Sequence, residues 1–176
     1  MHAAYNNNVD MVKVLIKNGA DVDSKTDNKD TALIFAAQEN HVDIVTILLE
    51  NGADINAQDA DGNTALMLAA QSNKSDIVTF LLENSPDINR QNTNGNTAIM
   101  QVIEENIFDI VILLIQSGAD LNIKDLDGNT ALHYAAEEGH CNGNLDTIAL
   151  LLKNGADVDA KNENENTILM WAAEWG

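Results

Sequence analysis

Cysteine and basic side chains are scarce in this chain of 176 residues, and their scarcity excludes several kinds of protein. The one cysteine, Cys141, has no second cysteine to pair with, so the chain forms no internal disulfide. Nine Lys and Arg against twenty-eight Asp and Glu give a net charge of −19. This balance predicts no nucleic-acid partner and disfavours anionic membranes, because phosphate groups are bound through Lys and Arg.

Long apolar runs and secretion signals are also missing from the sequence. No stretch stays apolar for the roughly 18 residues that a membrane-spanning helix needs. The chain does not open on a charged and then apolar signal segment either. We therefore expect no membrane insertion, and the cytoplasm is the default location.

The residue patterns of common enzymes and metal sites are absent as well. There is no phosphate-binding glycine loop and no Gly-x-Ser-x-Gly turn that would carry a nucleophilic serine. Adjacent acids such as Glu104 and Glu105 diverge by about 100° on a helix, so they cannot face one substrate as a pair. The four histidines form no metal-ligand pattern, and Cys141 has no partner at ligand spacing. We predict a chain that is not an enzyme and uses no cofactor or metal ion.

Two acidic segments, 59–64 and 125–130, are similar to calcium loops at first sight. A calcium loop of this kind needs a bidentate Glu at its twelfth position. The twelfth residues here are Ala70 and Ala136, so we reject calcium binding by these segments.

A phrase repeated at a fixed interval is what the sequence has instead. Thr31, Thr64, Thr97 and Thr130 lie 33 residues apart, and each opens a phrase such as Thr31-Ala-Leu-Ile-Phe-Ala-Ala37. A fifth copy begins at Thr167, after 37 residues. This period indicates stacked units rather than one globular core. Stacked units present a long surface and no enclosed pocket, which favours binding over catalysis.

A second phrase follows the first in each unit, as in Leu48-Leu-Glu-Asn-Gly-Ala-Asp-Ile-Asn56. Together the two phrases resemble the ankyrin repeat over essentially the whole chain. The resemblance implies a single all-α domain, an ankyrin-repeat solenoid of stacked helix-turn-helix units with hairpin fingers. We place full repeats at 27–59, 60–92, 93–125 and 126–162, with partial repeats at 1–26 and 163–176. The repeat at 126–162 carries a four-residue insertion near 141–144, in the loop between its two helices.

Each repeat contains residues that should begin, end and bury its helices. The repeated Thr is expected to cap the first helix, and Asp10, Asp43, Asp76, Asp109 and Asp146 are expected to cap the second. A glycine, or Ser85 in one repeat, should end the second helix in a left-handed turn. Leu48 and its counterparts Leu81, Leu114 and Leu151 should be core. Val102 and Ile103 replace the paired alanines of the first helix, which predicts different packing in that layer.

The resemblance implies that a partner binds the concave face, formed by the finger tips and the exposed sides of the first helices. Most side chains mapped to this face are acidic or amide, so we expect a protein partner with a basic surface. The predicted partner-binding residues are Asp27, Asn28, Asp30, Phe35, Gln38, Glu39, Asp61, Asn63, Gln71, Asn94, Asn96, Glu104, Asp127, Asn129, Tyr134, Glu137, Glu138 and Trp171. Phe35, Tyr134 and Trp171 belong to a row that occupies one position of successive first helices and also contains His2, Leu68 and Gln101. This row is either partial core, which we favour, or a row of binding anchors.

Several alternatives stay open at the level of sequence. The acidic charge could instead serve solubility alone. The chain starts and stops inside a first helix, so it could be a targeting or regulatory segment of a larger enzyme or effector toxin. Asn56, Asn89 and Asn122 resemble the targets of asparaginyl hydroxylases, although bonding between fingers is a sufficient role for them. We expect a monomer, with end-to-end association as the alternative.

Overall fold

A computed structural model describes residues 1–138 and 145–170, and within these ranges the chain is a succession of short helices. Apart from one isolated bridge between Gln58 and Thr64, the described ranges contain no β pairing. The helices are α1 His2–Tyr5, α2 Val9–Lys17, α3 Ala32–Gln38, α4 Val42–Glu50, α5 Ala65–Gln71, α6 Ser75–Glu83, α7 Ala98–Glu104, α8 Phe108–Gln116, α9 Ala131–Glu138 and α10 Leu145–Lys153. The predicted all-α class is confirmed.

The first helix of a repeat begins directly after the repeated threonine. Thr31 and Thr64 accept hydrogen bonds on Oγ1 from the backbone N–H groups of Ile34 and Met67, each at 3.3 Å. These bonds satisfy amides that the first turn leaves unpaired, so the predicted threonine cap is confirmed there. Thr97 differs, because its buried hydroxyl has no hydrogen-bond partner.

The second helices begin one residue before the aspartates that were expected to cap them. α4 begins at Val42, so Asp43 lies inside its first turn and the predicted Asp cap is wrong. The same shift applies to Asp10, Asp76, Asp109 and Asp146, each of which lies in a first turn. The reason is the connecting turn: Asn40 is left-handed at φ +64°, and His41 donates its N–H to Ala36 O at 2.8 Å. That bond closes the first helix and leaves His41 as the cap residue, while Asp43 still complements the helix dipole.

The helices stack in two rows that bury an apolar core between them. First helices pack on the next first helix (α1 on α3, α3 on α5, α5 on α7, α7 on α9), and second helices do the same from α2 to α8. The predicted core leucines Leu48, Leu81, Leu114 and Leu151 are all buried. Val102 and Ile103 are fully buried as well, so the larger pair fills the core of its layer.

The second helices end in the left-handed turn that the sequence predicts. Gly19, Gly52, Gly118 and Gly155 all have φ between +84° and +95°, and Ser85 adopts the same hand at +58°. Because Ser85 carries a Cβ, its turn costs about 1 kcal/mol more than the glycine turns.

Candidate protein-binding face

The finger tips are joined to one another through their backbones. Asn28, Asp61, Asn94 and Asp127, which are 33 residues apart, each use the backbone carbonyl to accept an N–H from the next finger, at 2.8 to 3.1 Å. Their side chains are exposed. The chain thus holds each tip in place by a main-chain bond and leaves the side chain at the surface.

Four fingers are also shaped from within by an Asp or Asn two residues before the tip, whereas the finger of Asn28 has Thr26 at that position. Asp59 Oδ1 accepts the N–H groups of Asp61 and Asn63 at 2.9 and 2.8 Å. Asn92, Asp125 and Asn162 make the same pair of bonds in their own fingers. The segments that resemble calcium loops therefore use these oxygens to hold backbone amides. The sequence did not lead us to predict this role for Asp59, Asn92, Asp125 and Asn162. The recurrence of Asp or Asn at intervals of 33 or 37 residues is the sequence feature that could have indicated it.

A second row of bonds ties the bases of the fingers together. Asp87, Asp120 and Asp157 donate their N–H groups to Oδ1 of Asn56, Asn89 and Asn122, at 2.7 to 2.9 Å. Asp23 accepts from Asp54 N in the same way at 2.9 Å. The predicted bonding of Asn56, Asn89 and Asn122 between fingers is confirmed.

Close approach of neighbouring fingers explains a glycine in the tips. Gly95 has φ +79°, and a Cβ at this residue would lie 2.7 Å from Leu126 N of the next finger. Gly62 and Gly128 are crowded in the same way. The fingers therefore pack backbone against backbone, which leaves the tip row little freedom to rearrange.

The predicted partner-binding residues fall into three groups. Exposed side chains belong to Asp27, Asn28, Gln38, Glu39, Asp61, Gln71, Asn94, Glu104, Asp127 and Glu137. Half-buried side chains belong to Asp30, Phe35, Asn63, Asn129 and Tyr134. Asn96 is only 9% exposed and its side-chain Oδ1 lies 3.0 Å from the Tyr134 hydroxyl oxygen, so it offers a partner little surface. The side chain of Glu138, Trp171 and the insertion at 141–144 lie outside the described residues.

Two side chains of the aromatic row, Phe35 and Tyr134, make contacts within the protein. The Phe35 ring packs edge-on against Tyr5, with centroids 6.1 Å apart. The Tyr134 hydroxyl donates to Asp125 Oδ2 at 2.8 Å. Burial, and then this carboxylate, raise the pKa of Tyr134 above its ordinary value, so the phenol stays protonated. These contacts, together with the half-buried state of both side chains, support the partial-core interpretation.

A cleft opens beside Tyr134 between two fingers. Its volume is about 520 Å³, and its lining includes the carboxylates of Asp127, Glu137 and Glu163. The two ion pairs within the described ranges, Arg90 with Asp87 and Lys161 with Glu165, do not involve these three acids. The cleft is therefore acidic and carries an aromatic ring at its wall.

Comparison with known proteins agrees with this architecture. A family model described as ankyrin repeats matches three times, over residues 1–92, 84–162 and 127–176. The chain belongs to the ankyrin-repeat family. Ankyrin repeats are generally protein–protein interaction modules, and the fold is typically non-catalytic. No curated protein matches the ankyrin-repeat chain. In the described ranges, no helix has the length and apolar character needed to cross a bilayer.

Proposed function

We propose that this ankyrin-repeat chain binds a protein with a basic surface through its concave face, the finger tips together with the exposed sides of the first helices. The observation that carries the proposal is the tip row: exposed Asn28, Asp61, Asn94 and Asp127 recur at one position of successive fingers whose backbones are bonded together. A surface ordered before binding loses little entropy when a partner arrives. An extended row of acidic and amide groups suits a Lys- and Arg-rich surface.

Charge supports the choice of partner. The net charge is −19, and Asp27, Asp61 and Asp127 take part in neither ion pair of the described ranges. Such a field attracts a basic protein over a distance and raises its association rate at low salt. The cleft beside Tyr134 would receive one Lys or Arg side chain, because three carboxylates and an aromatic ring all favour a cation there.

The test compares two triple variants with the same change in charge. Asp61→Lys, Asn94→Lys and Asp127→Lys alter three exposed tips. The control variant, Glu50→Lys, Glu83→Lys and Gln116→Lys, alters the exposed last residues of α4, α6 and α8, each of which comes shortly before one of these tips in the chain. Each set replaces two acidic residues and one amide residue by lysine, so both variants change the net charge by the same amount. The long-range attraction of the chain for a basic partner therefore weakens equally in both. Lysines at helix C-termini also suit the helix dipole, which keeps the control folded.

The measurement is capture of proteins from a native lysate by the immobilised chain, at low and high salt. We expect the tip variant to lose a basic partner that the control variant still captures, and high salt to weaken capture by the unaltered chain. Equal capture by both variants would contradict the tip row as the binding surface. Any turnover shown by the purified chain would contradict a purely binding function.

A further inference from the structure

An exposed leucine interrupts the polar surface of the finger tips. Leu126, the residue directly before the tip Asp127, is 66% exposed. The other four fingers carry a polar, small or acidic residue at the same position, namely Asp27, Ala60, Thr93 and Glu163. Across the five fingers, this position therefore presents one large apolar side chain in acidic and amide surroundings.

Main-chain bonds on both sides hold this leucine in place. The N–H of Leu126 donates to Asn94 O of the preceding finger at 3.1 Å. The next residue, Asp127, accepts the N–H of Glu163 from the following finger at 2.9 Å. The finger that carries Leu126 is thus joined to both of its neighbours, so little backbone freedom is lost when a partner covers the side chain.

The acidic cleft beside Tyr134 begins at the residue that follows this leucine. Asp127, Glu137 and Glu163 supply its carboxylates. Consecutive residues of a chain lie about 3.8 Å apart, so Leu126 stands directly beside the cleft. A partner segment that places a basic side chain in the cleft therefore brings its neighbouring residue within reach of Leu126.

The acidic charge of this face accounts for attraction better than for affinity. Charges at the edge of an interface mainly raise the association rate and select the sign of the partner's charge. Exposed ion pairs contribute little to the strength of a contact. The centre of a protein interface is more apolar than its rim, and burial of apolar surface is the main favourable contribution to association. Leu126 supplies such apolar surface at the tips.

We propose that the face selects a basic protein segment in which a bulky apolar side chain stands beside a Lys or Arg. The basic side chain enters the cleft beside Tyr134, and the apolar side chain packs against Leu126. This inference rests on the proposed function, because it names the kind of segment that the same concave face takes. It adds a requirement beyond charge, since a basic segment without the apolar neighbour leaves Leu126 uncovered.

The experiment measures the binding of two synthetic peptides of equal length and charge by fluorescence anisotropy. One peptide alternates arginine with serine, and the other has leucine in place of its central serine. Each peptide is titrated with the full chain, with Leu126→Ala and with Leu145→Ala. Leu145 is the matched control, because it is 80% exposed in the same repeat but lies at the start of α10. Ala60 occupies the position of Leu126 in another finger, so alanine suits the turn.

We expect the full chain to bind the leucine peptide about five- to thirtyfold more tightly than the serine peptide. This factor corresponds to covering the exposed 66% of one leucine. Leu145→Ala should keep the preference for leucine, and Leu126→Ala should lose it. High salt should weaken the binding of both peptides and leave the preference unchanged, because salt screens charges and not apolar contacts.

Three results would overturn the inference and leave the proposed function standing, provided that the tip variant binds both peptides more weakly than the control variant. The full chain could bind the two peptides equally. The preference could survive Leu126→Ala, which would place the apolar contact elsewhere. The preference could also be lost equally in Leu126→Ala and Leu145→Ala.

Two other results would overturn the proposed function and this inference together. The full chain could bind neither peptide. The tip variant could bind both peptides as tightly as the control variant, which would exclude the tips as the binding surface.

Discussion

Two leucines at the same position of different repeats allow a direct test of the stacked core. Leu81 on α6 is 0% exposed, while Leu15 on α2 is 45% exposed. Replacing either by alanine removes the same atoms from a similar stretch of sequence. The two variants differ mainly in whether a neighbouring layer covers the side chain, so their difference measures the packing between layers.

The expected losses of stability differ by more than experimental error. Leu81→Ala loses the transfer free energy of the buried atoms and leaves a cavity, which together cost about 2–5 kcal/mol. Burying a whole leucine contributes about 1.5–3 kcal/mol, so the half-exposed Leu15 should lose roughly 1 kcal/mol and leave no cavity.

The assay is urea unfolding followed by circular dichroism, at a protein concentration low enough that self-association contributes nothing. The slope of the free energy of unfolding against urea must be the same in all three proteins for the losses to be compared. A smaller slope for Leu81→Ala would mean that only part of the array unfolds in the main transition. If Leu81→Ala lost no more stability than Leu15→Ala, the layered core described above would be wrong.

Three further predictions concern the fingers and a buried histidine. Gly95→Ala should destabilise the chain by more than Gly118→Ala. Both glycines have a positive φ, but only at residue 95 would the added Cβ lie 2.7 Å from Leu126 N of the next finger. Equal losses of stability in thermal unfolding would contradict the tight finger packing. Asn89→Ala should lower the free energy of unfolding by about 0.5–1.5 kcal/mol, because it removes the oxygen that accepts the N–H of Asp120. Asn94→Ala, the control, should leave the free energy of unfolding unchanged in the same urea assay. An equal result for Asn89→Ala would show that the bond contributes nothing to stability. Burial lowers the pKa of His133 from its ordinary value of 6.5. As the pH falls through 6.5, the unfolded state therefore takes up a proton at this histidine more readily than the folded state. The free energy of unfolding should fall as the pH drops from about 7 toward 5. His133→Met, which places there the residue found at Met67, should flatten that dependence in unfolding curves measured across this range, and an unchanged slope would count against His133 as its source.

Local features of the fold were predictable because the residues that cause them act on their near neighbours in the chain. Thr31 caps α3 through an amide three residues away, and Gly52 ends a helix by its own backbone freedom. The start of α4 was misplaced by one residue because it depends on how the turn at Asn40 closes against α3. That closure is a contact between two helices, which a capping preference alone does not reveal.

The candidate face was predictable only in part, for a related reason. The tip positions follow from the repeat register, and the side chains of Asp61, Asn94 and Asp127 are exposed. Asn96 belongs to the same register, yet it lies under the Tyr134 hydroxyl, which comes from a residue 38 positions away. The cleft beside Tyr134 likewise needs Glu163 from the next finger.

By itself, the sequence determined the period, the helical class and the apolar positions of each layer, because spacing along a helix decides which side chains share a face. Only the tertiary structure decided which of those equivalent positions are covered. Leu15 and Leu81 stand in matching phrases, yet one is half-exposed and the other has no contact with solvent. Burial depends on whether a neighbouring helix lies over a side chain, and that is a property of the stack rather than of the residue.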